Sequence, residues 1–261
     1  MSDIYTQLNY GRIHVRPKGS TLPPFELGPM RTLGFTPELE ELSVKDPRTI
    51  SNSELDGVSR AAGGKLDGEL LELPPETMVA LLAAQRTVVP TGTQTDEPHR
   101  AMIGRTSMTT RLPLAVTSVK SDDGTKTYEA GKDYVKTPGG IRWLAAGELA
   151  TDVAAATADA DGNKSVPVKV VYTSPKINLV QAYTKGRQFW EVFIETMNEA
   201  GQLNGRRVTF RRARMALSGE LPLINREDFA AIGVSFTLSE DPDFFGAGES
   251  AMMVVEEDIP A

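Results

Sequence analysis

Three observations predict a mainly β fold of antiparallel hairpins, with one helix and long loops. Alternating polar and apolar runs recur along the chain, turn residues separate them at short spacing, and one segment alone keeps a convincing helical period.

Arg12-Ile-His-Val-Arg16 alternates and is closed by Pro17 and Gly19, which predicts a short strand with His14 on its polar phase. Leu39-Glu-Glu-Leu-Ser-Val44, between Pro37 and Pro47, predicts a second. Lys45 to Lys65 is polar, carries Pro47, Gly57, Gly63 and Gly64, and sustains no period, so it reads as a long loop of the kind that binds or stays mobile. Pro74 to Gln85 opens with proline and an early glutamate and continues with strong helix formers, for about three turns. Met78, Val79, Leu81 and Leu82 cover most of one side and predict packing on a sheet. Thr87 to Met102, rich in Pro, Gly and Thr, reads as another loop.

From Leu112 the pattern is strand and turn. Ala115–Val119, the turn Ser121-Asp-Asp-Gly124, Thr125–Glu129, Asp133–Thr137, Gly139-Gly140 and Ile141–Leu144 follow so closely that antiparallel hairpins are predicted. An Ala/Asp/Gly-rich stretch, Thr151 to Asn163, leads into Val166–Tyr172, where Val168, Val170 and Tyr172 share a face and Pro167 marks an edge or a strand's beginning. Phe189 to Met197 is ambiguous: Phe189, Phe193 and Met197 have helical spacing, as do Glu191, Glu195 and Glu199. Asn204-Gly205 is a hairpin signal and Arg207–Met215 is rich in strand formers, so a strand pair is preferred. Phe229–Leu238 alternates through Ile232, Val234, Phe236 and Leu238, and Met252–Val255 supplies a last strand.

Composition narrows the chemistry. The 261 residues carry 28 Lys+Arg against 35 Asp+Glu, a net charge of −7, with no Cys. A disulfide framework, a thiolate nucleophile and a Cys-based zinc or iron–sulfur site are therefore excluded. A chain this long buries roughly three quarters of its extended surface and builds a core without staples. Met1 to Tyr10 holds Asp3 and no apolar run, and nowhere do eighteen apolar residues follow one another, so neither a secretory leader nor a membrane helix is expected and the cytosol is the expected compartment.

Sharper motifs are scarce. His14 and His99, the two imidazoles, lie beside no G-x-S-x-G, and no phosphate-binding glycine loop occurs; Gly246-Ala-Gly248 lacks a third glycine. The acidic groups Asp122-Asp123 and Glu256-Glu-Asp258 lack the EF-hand pattern and read as solvated charge. The unusual feature is Arg206, Arg207, Arg211, Arg212 and Arg214, five guanidiniums within nine residues on one expected strand. Residues 220 to 261 answer with ten carboxylates and one base, Arg226, so charge pairing within or between subunits is favoured over phosphate contact.

The order of segments resembles the major tail tube proteins of long-tailed, siphovirus-like bacteriophages. The likeness lies in Gly11 to Gly19, Leu39 to Asp46 before a long loop, Gly131-Lys-Asp-Tyr-Val135 with Gly139-Gly-Ile141, Phe189 to Asn198, the Asn204-Gly205 turn, Val208 to Met215, Gly219 to Ile224 and Phe229 to Leu238. It implies an antiparallel β-sandwich or barrel of the tail-tube type with one flanking helix, in a single domain spanning 1–261, with a hairpin-rich insertion at about 111–173. It implies a non-enzymatic virion protein without cofactor or metal, whose copies form six-membered rings that stack into a tube conducting the genome. Tape measure, terminator and distal tail proteins are implied as partners, with DNA only in transit and no membrane, first in the host cytoplasm and then in the virion tail. The Lys45–Lys65 loop would stack rings. Asp46, Arg48, Glu54 and Asp56 are then inter-subunit candidates beside Arg206, Arg207, Arg211, Arg212 and Arg214. The arginine-rich strand departs from the acidic or neutral lumen the likeness implies.

Three other readings stay open: a tail terminator or secreted ring protein of related fold, an all-β enzyme with paired carboxylates acting on polysaccharide, and a DNA-binding module built on the arginine strand.

Overall fold

The computed structural model describes residues 9–45, 48, 54–186, 188–198, 205–224, 231–244, 246 and 248–258. Among these are seventeen strands and two helices, and every pairing of named strands for which a register is resolved is antiparallel. The chain divides into two compact units, Met1–Arg86 with Val180–Ala261, and Thr87–Leu179. The 111–173 stretch lies inside the second.

In chain order the elements are β1 (Asn9–Pro17), β2 (Phe25–Glu26), β3 (Met30–Lys45), β4 (Glu54–Leu70), α1 (Pro75–Leu81) and β5 (Gln85–Val89). Then come β6 (Gly92–Ala101), β7 (Thr106–Met108), β8 (Ala115–Ser121), β9 (Thr127–Tyr128), β10 (Tyr134–Thr137), β11 (Gly140–Trp143), α2 (Gly147–Ala155) and β12 (Val166–Ser174). The chain returns through β13 (Ile177–Gln181) to β14 (Trp190–Asn198), β15 (Gly205–Leu217), β16 (Ile232–Leu238) and β17 (Met253–Glu257).

The first unit is built on one sheet in the order β2-β1-β14-β15-β16-β4-β3, with β17 also on β15. Period-2 alternation sets its buried face. Ile13 and Val15 lie opposite Ile194 and Val192, and Val234 and Phe236 lie opposite Gly68 and Leu66. Phe236, Val234, Val192 and Val15 are fully buried, each stabilising the fold by roughly 1.5–3 kcal/mol. Helix α1 adds Ala80 and Leu81 to this core, and the Thr77 hydroxyl donates to the Leu27 carbonyl at 2.6 Å. Among the described residues the sheet order ends on β2 and β3 and does not close into a barrel.

The second unit has its own core around Trp143, Tyr172, Ile141 and Leu149. It joins a sheet β6-β12-β8-β9 and a sheet β10-β11-β7. Val168, Val170 and Tyr172 share the buried face as their spacing predicts, and the hairpins at 115–128 and 134–143 form. Strand β12 is central, so Pro167 marks its beginning and not an edge.

Four expectations are corrected. Residues 54–65, read as loop, belong to β4, which pairs with β3 from Lys45↔Glu54 to Met30↔Leu70. Most of that length touches no core, so neither face had to be apolar and the alternation is lost. Thr87–Met102, also read as loop, holds most of β5 and all of β6. Strand β6 is an edge that buries only Ala101 and tolerates Pro98 there. The helix at 74–85 is shorter, because Ala83 at φ 43 ends it. A second helix, α2, joins the one flanking helix expected, and overlaps the Ala/Asp/Gly-rich stretch. Its buried face is Leu149 and Val153, one i,i+4 pair, too little to register as a period.

The ambiguous segment at 189–197 is a strand: Trp190, Val192 and Ile194 turn inward and Glu191, Phe193 and Glu195 outward. Asn204, of the expected turn, lies outside the described residues, as does Phe229 of the expected strand at 229–238.

Candidate assembly surface

Five arginines on one strand cannot all face water on a perfect alternation, and β15 does not keep one. Trp190 pairs with Ala213 and Val192 with Phe210, so two residues of β14 span three of β15. The bulge at Arg211 and Arg212 shifts the phase: Phe210 and Ala213 both point into the core, at 1 % and 0 % exposure. Arg211, Arg212 and Arg214 are thereby kept off it.

Each arginine is engaged by its own chain. Cross-strand pairing puts Arg206 opposite Glu257 and Arg207 opposite Glu256. The first pair closes at 3.1 Å, and the second is a tighter contact through Nε and the terminal nitrogen. Arg211 lies 3.6 Å over the Phe244 ring and donates to the Ser250 carbonyl at 3.1 Å. Arg212 lies 3.9 Å over Phe189 and donates to the Glu240 carbonyl, and Arg214 sits 5.5 Å over the same ring. The turn after β16 is fastened by Lys18, which binds Asp241 and, at 2.7 Å, Asp243. Burial alone would push the Asp241 carboxyl up; the Lys18 ammonium, the Asp243 N–H and the Arg212 charge together outweigh it and hold the group below its usual range. Sequence reasoning expected the arginines to pair with the acidic stretch after residue 220, but read Glu256-Glu-Asp258 as solvated charge and did not single out these two partners. It missed Phe189 and Phe244 as stacking partners, whose only signal was aromatic type, with no local spacing to the arginines.

Of the other candidates, Glu54 and Asp56 lie at the far end of the paired strands β3 and β4. Asp46 is outside the described residues, and Arg48 is exposed. Glu54 opens β4 opposite Lys45, and Asp56 faces Val44, its carboxylate accepting from the Gly57 N–H at 2.9 Å. Strand β4 leaves its other neighbour, β16, at Gly64, the last residue paired with Leu238. There the backbone turns at Gly63 (φ 154), where a Cβ would meet the Leu238 carbonyl at 2.8 Å, and Ala62 is an extra residue opposite Glu38 and Leu39. Beyond lies a two-stranded arm from 54 to 63, roughly 30 Å at about 3.3 Å per residue. The arginine strand and this arm are therefore not brought together as one cluster by sequence-local structure.

The arm carries apolar side chains the sequence reading did not count as functional. Leu39, Leu42, Val44 and Val58 are 61 %, 52 %, 62 % and 50 % exposed, and Leu42 pairs across the hairpin with Val58. A two-stranded hairpin alone is at best marginally stable in water, so an arm of this kind gains by docking.

In the second unit, Glu97, His99 and Tyr172 form a compact polar cluster. The Tyr172 hydroxyl donates to Glu97 Oε2 at 2.7 Å and accepts the Arg111 N–H at 3.0 Å, while Glu97 Oε1 accepts the Thr110 N–H at 2.8 Å. His99 Nε2 lies 2.9 Å from Glu97 Oε1 without the angle of a hydrogen bond. His14 sits 3.7 Å from Glu195. Among the described residues no three His, Asp or Glu converge as metal ligands, and no helix is long and apolar enough to cross a membrane.

No curated protein matches the sequence. A family model described as "Protein of unknown function UCP028589" matches residues 7–256, nearly the whole length and both units. The chain belongs to that family of proteins of unknown function.

Proposed function

We propose that this chain is a structural subunit whose copies join into rings, six to a ring, that stack into a phage tail tube conducting the genome, as its resemblance to tail tube proteins implies. The observation that carries the reading is the β3–β4 arm: a two-stranded ribbon with four exposed large aliphatic side chains and, among the described residues, no third strand beside it. Such a ribbon is a liability in a permanent monomer and a connector in an assembly. The open order of the first unit's sheet fits a barrel completed only when neighbouring copies meet. A charge of −7 per copy, repeated around a channel, repels phosphates and lets DNA pass. The arginines on β15, held by carboxylates, carbonyls and rings of their own chain, leave fewer donors for phosphate, which favours this role over a DNA-binding module.

In this reading the chain is not an enzyme and needs no cofactor. Its partners are its own copies and the tape measure, terminator and distal tail proteins, and it ends in the virion tail after assembly in the host cytoplasm. The test is negative-stain electron microscopy over a concentration series, with a second protein in which residues 39–61 are replaced by Asn-Gly. Rings or tubes from the intact chain and none from the shortened one are expected. Monomers of both at every concentration would overturn the reading.

A further inference from the structure

Helix α1 and the strand ends beside it leave an apolar pocket on the first unit. Phe25 and Trp190 meet edge to face at its bottom, with ring centroids 6.0 Å apart, and Val79 of α1 and Pro17 at the end of β1 form its walls. Trp190 is 6 % exposed, while Phe25, Val79 and Pro17 are half-buried and open to the cavity. The rim carries two cations, Arg86 and Lys185, and one carboxylate, Glu76, all exposed. Lys185 makes no ion pair among the described residues. The cavity measures about 240 Å³. That is below the roughly 300–1,000 Å³ of sites that enclose a small molecule, and it suits one or two side chains inserted from outside.

A matching plug is on the chain itself. Beyond β15, residues 219–224 run Gly-Glu-Leu-Pro-Leu-Ile and belong to no strand or helix. Leu221 packs against the first unit's own core and anchors the start of the segment. Leu223 and Ile224, just past it, are 86 % and 90 % exposed, the barest large hydrophobic side chains among the described residues. None of residues 219–224 lines the pocket of its own chain. Two adjacent aliphatics left this bare mark a contact with another surface. Glu220, exposed and without an ion pair among the described residues, sets a carboxylate on the same segment. Pro222 between them fixes one backbone torsion in advance, which lowers the entropy lost when the segment docks.

We propose that this pocket takes Leu223 and Ile224 of a second copy, with Glu220 of that copy set against Lys185 at the rim. A second copy is the fitting occupant because it carries both halves of the match: apolar side chains with no cover of their own, and a carboxylate beside them for a rim of net positive charge. Pocket on one copy and segment on the next make a head-to-tail contact, which closes into a ring where the rotation per copy allows it. The inference rests on the ring-forming role proposed above and gives it a second contact, apart from the β3–β4 arm.

The test is fluorescence anisotropy of a labelled, end-capped peptide of residues 219–224, titrated with the full chain carrying Leu223→Ser and Ile224→Ser. That chain keeps its pocket and cannot fill it with its own segment, and both substitutions, at exposed positions, should leave the thermal melt unchanged. Binding about tenfold or more tighter than that of a peptide with Ser in place of Leu223 and Ile224 is expected. Adding Val79→Glu, which puts a carboxylate on the wall, should weaken the peptide by a similar factor. Lys185→Glu, at an exposed position where folding is not at stake, should reverse the charge preference and favour a peptide with Lys in place of Glu220. No binding, equal binding of the Ser peptide, or the same charge preference with Lys185→Glu would overturn the contact. Negative-stain microscopy separates it from the ring reading. Rings undiminished by Leu223→Ser with Ile224→Ser would keep that reading and overturn this contact, whereas bound peptide with open chains of copies in place of closed rings would keep the contact and discard the ring.

Discussion

Asp133 caps a helix it does not belong to. Its Oδ1 accepts the N–H of Leu149, the third residue of α2, at 2.8 Å, and its Oδ2 accepts the Glu129 N–H at the same distance, with the side chain almost wholly buried. Ala146 just before α2 makes no side-chain cap, so a residue thirteen positions before it supplies one. Gly147 makes room: at φ 81, a Cβ there would lie 2.2 Å from Asp133 Oδ1.

We therefore predict that Asp133→Ala, which strands the buried Leu149 N–H and the part-buried Glu129 N–H, costs about 1–3 kcal/mol. Gly147→Ala should destabilise the same helix through strain and collision. Chemical denaturation followed by the fluorescence of Trp143, buried in the same core, reads both. A loss below a few tenths of a kcal/mol in Asp133→Ala would dismiss the cap.

The cluster at Glu97 predicts a pH dependence with two sides. Burial pushes the Glu97 carboxyl up, but the Tyr172 hydroxyl and the Thr110 N–H outweigh it and hold it below its usual range. A depressed carboxyl contributes stability above its unfolded value, near 4.5, that is lost as pH falls through the folded one. Tyr172 is raised, by burial and then by its bond to Glu97, so its contribution is full below about 10 and is lost as pH rises through its folded value. Tyr172→Phe should move the Glu97 titration upward in an NMR experiment. A Glu97 curve identical in both proteins would count against this account.

Arg207 and Glu256 face each other on exposed neighbouring strands, where an ion pair is worth about 0–1 kcal/mol and like charges repel by a similar amount. Arg207→Glu alone should lower stability within that range, and the swap with Glu256→Arg should restore it. A double-mutant cycle with no coupling would show the pair to be energetically idle.

Replacing Arg211, Arg212 and Arg214 by alanine removes contacts over Phe244 and Phe189 worth about 0.5–1 kcal/mol each. If these arginines also meet neighbouring copies, assembly should fall further than folding, as sedimentation against thermal melting would reveal. Unchanged tube formation would confine their role to the subunit.

On the arm, Leu42→Ser with Val58→Ser should leave monomer stability within about 0.5 kcal/mol, since both are surface positions, yet abolish stacking. Stability lost in step with assembly would make the pair structural rather than adhesive.

Period-2 alternation by itself determined the strands that bury one face: Ile232 to Leu238, Val168 to Tyr172 and Ile13 to Val15 were legible because a buried face must be apolar at every second residue. A charge imbalance along the chain made it legible that carboxylates after residue 220 answer the arginines, but not that Glu256 and Glu257 are the two that do. Tertiary structure decided what no local pattern encodes. The arm at 54–63 rests on cross-strand hydrogen bonds and buries no face, so its residues were free of the alternation. Helix α2 leans on a carboxylate from a preceding hairpin. The bulges at Arg31 and at Arg211–Arg212 exist only as a mismatch in register between two strands, and a register is a property of the pair and never of either sequence alone.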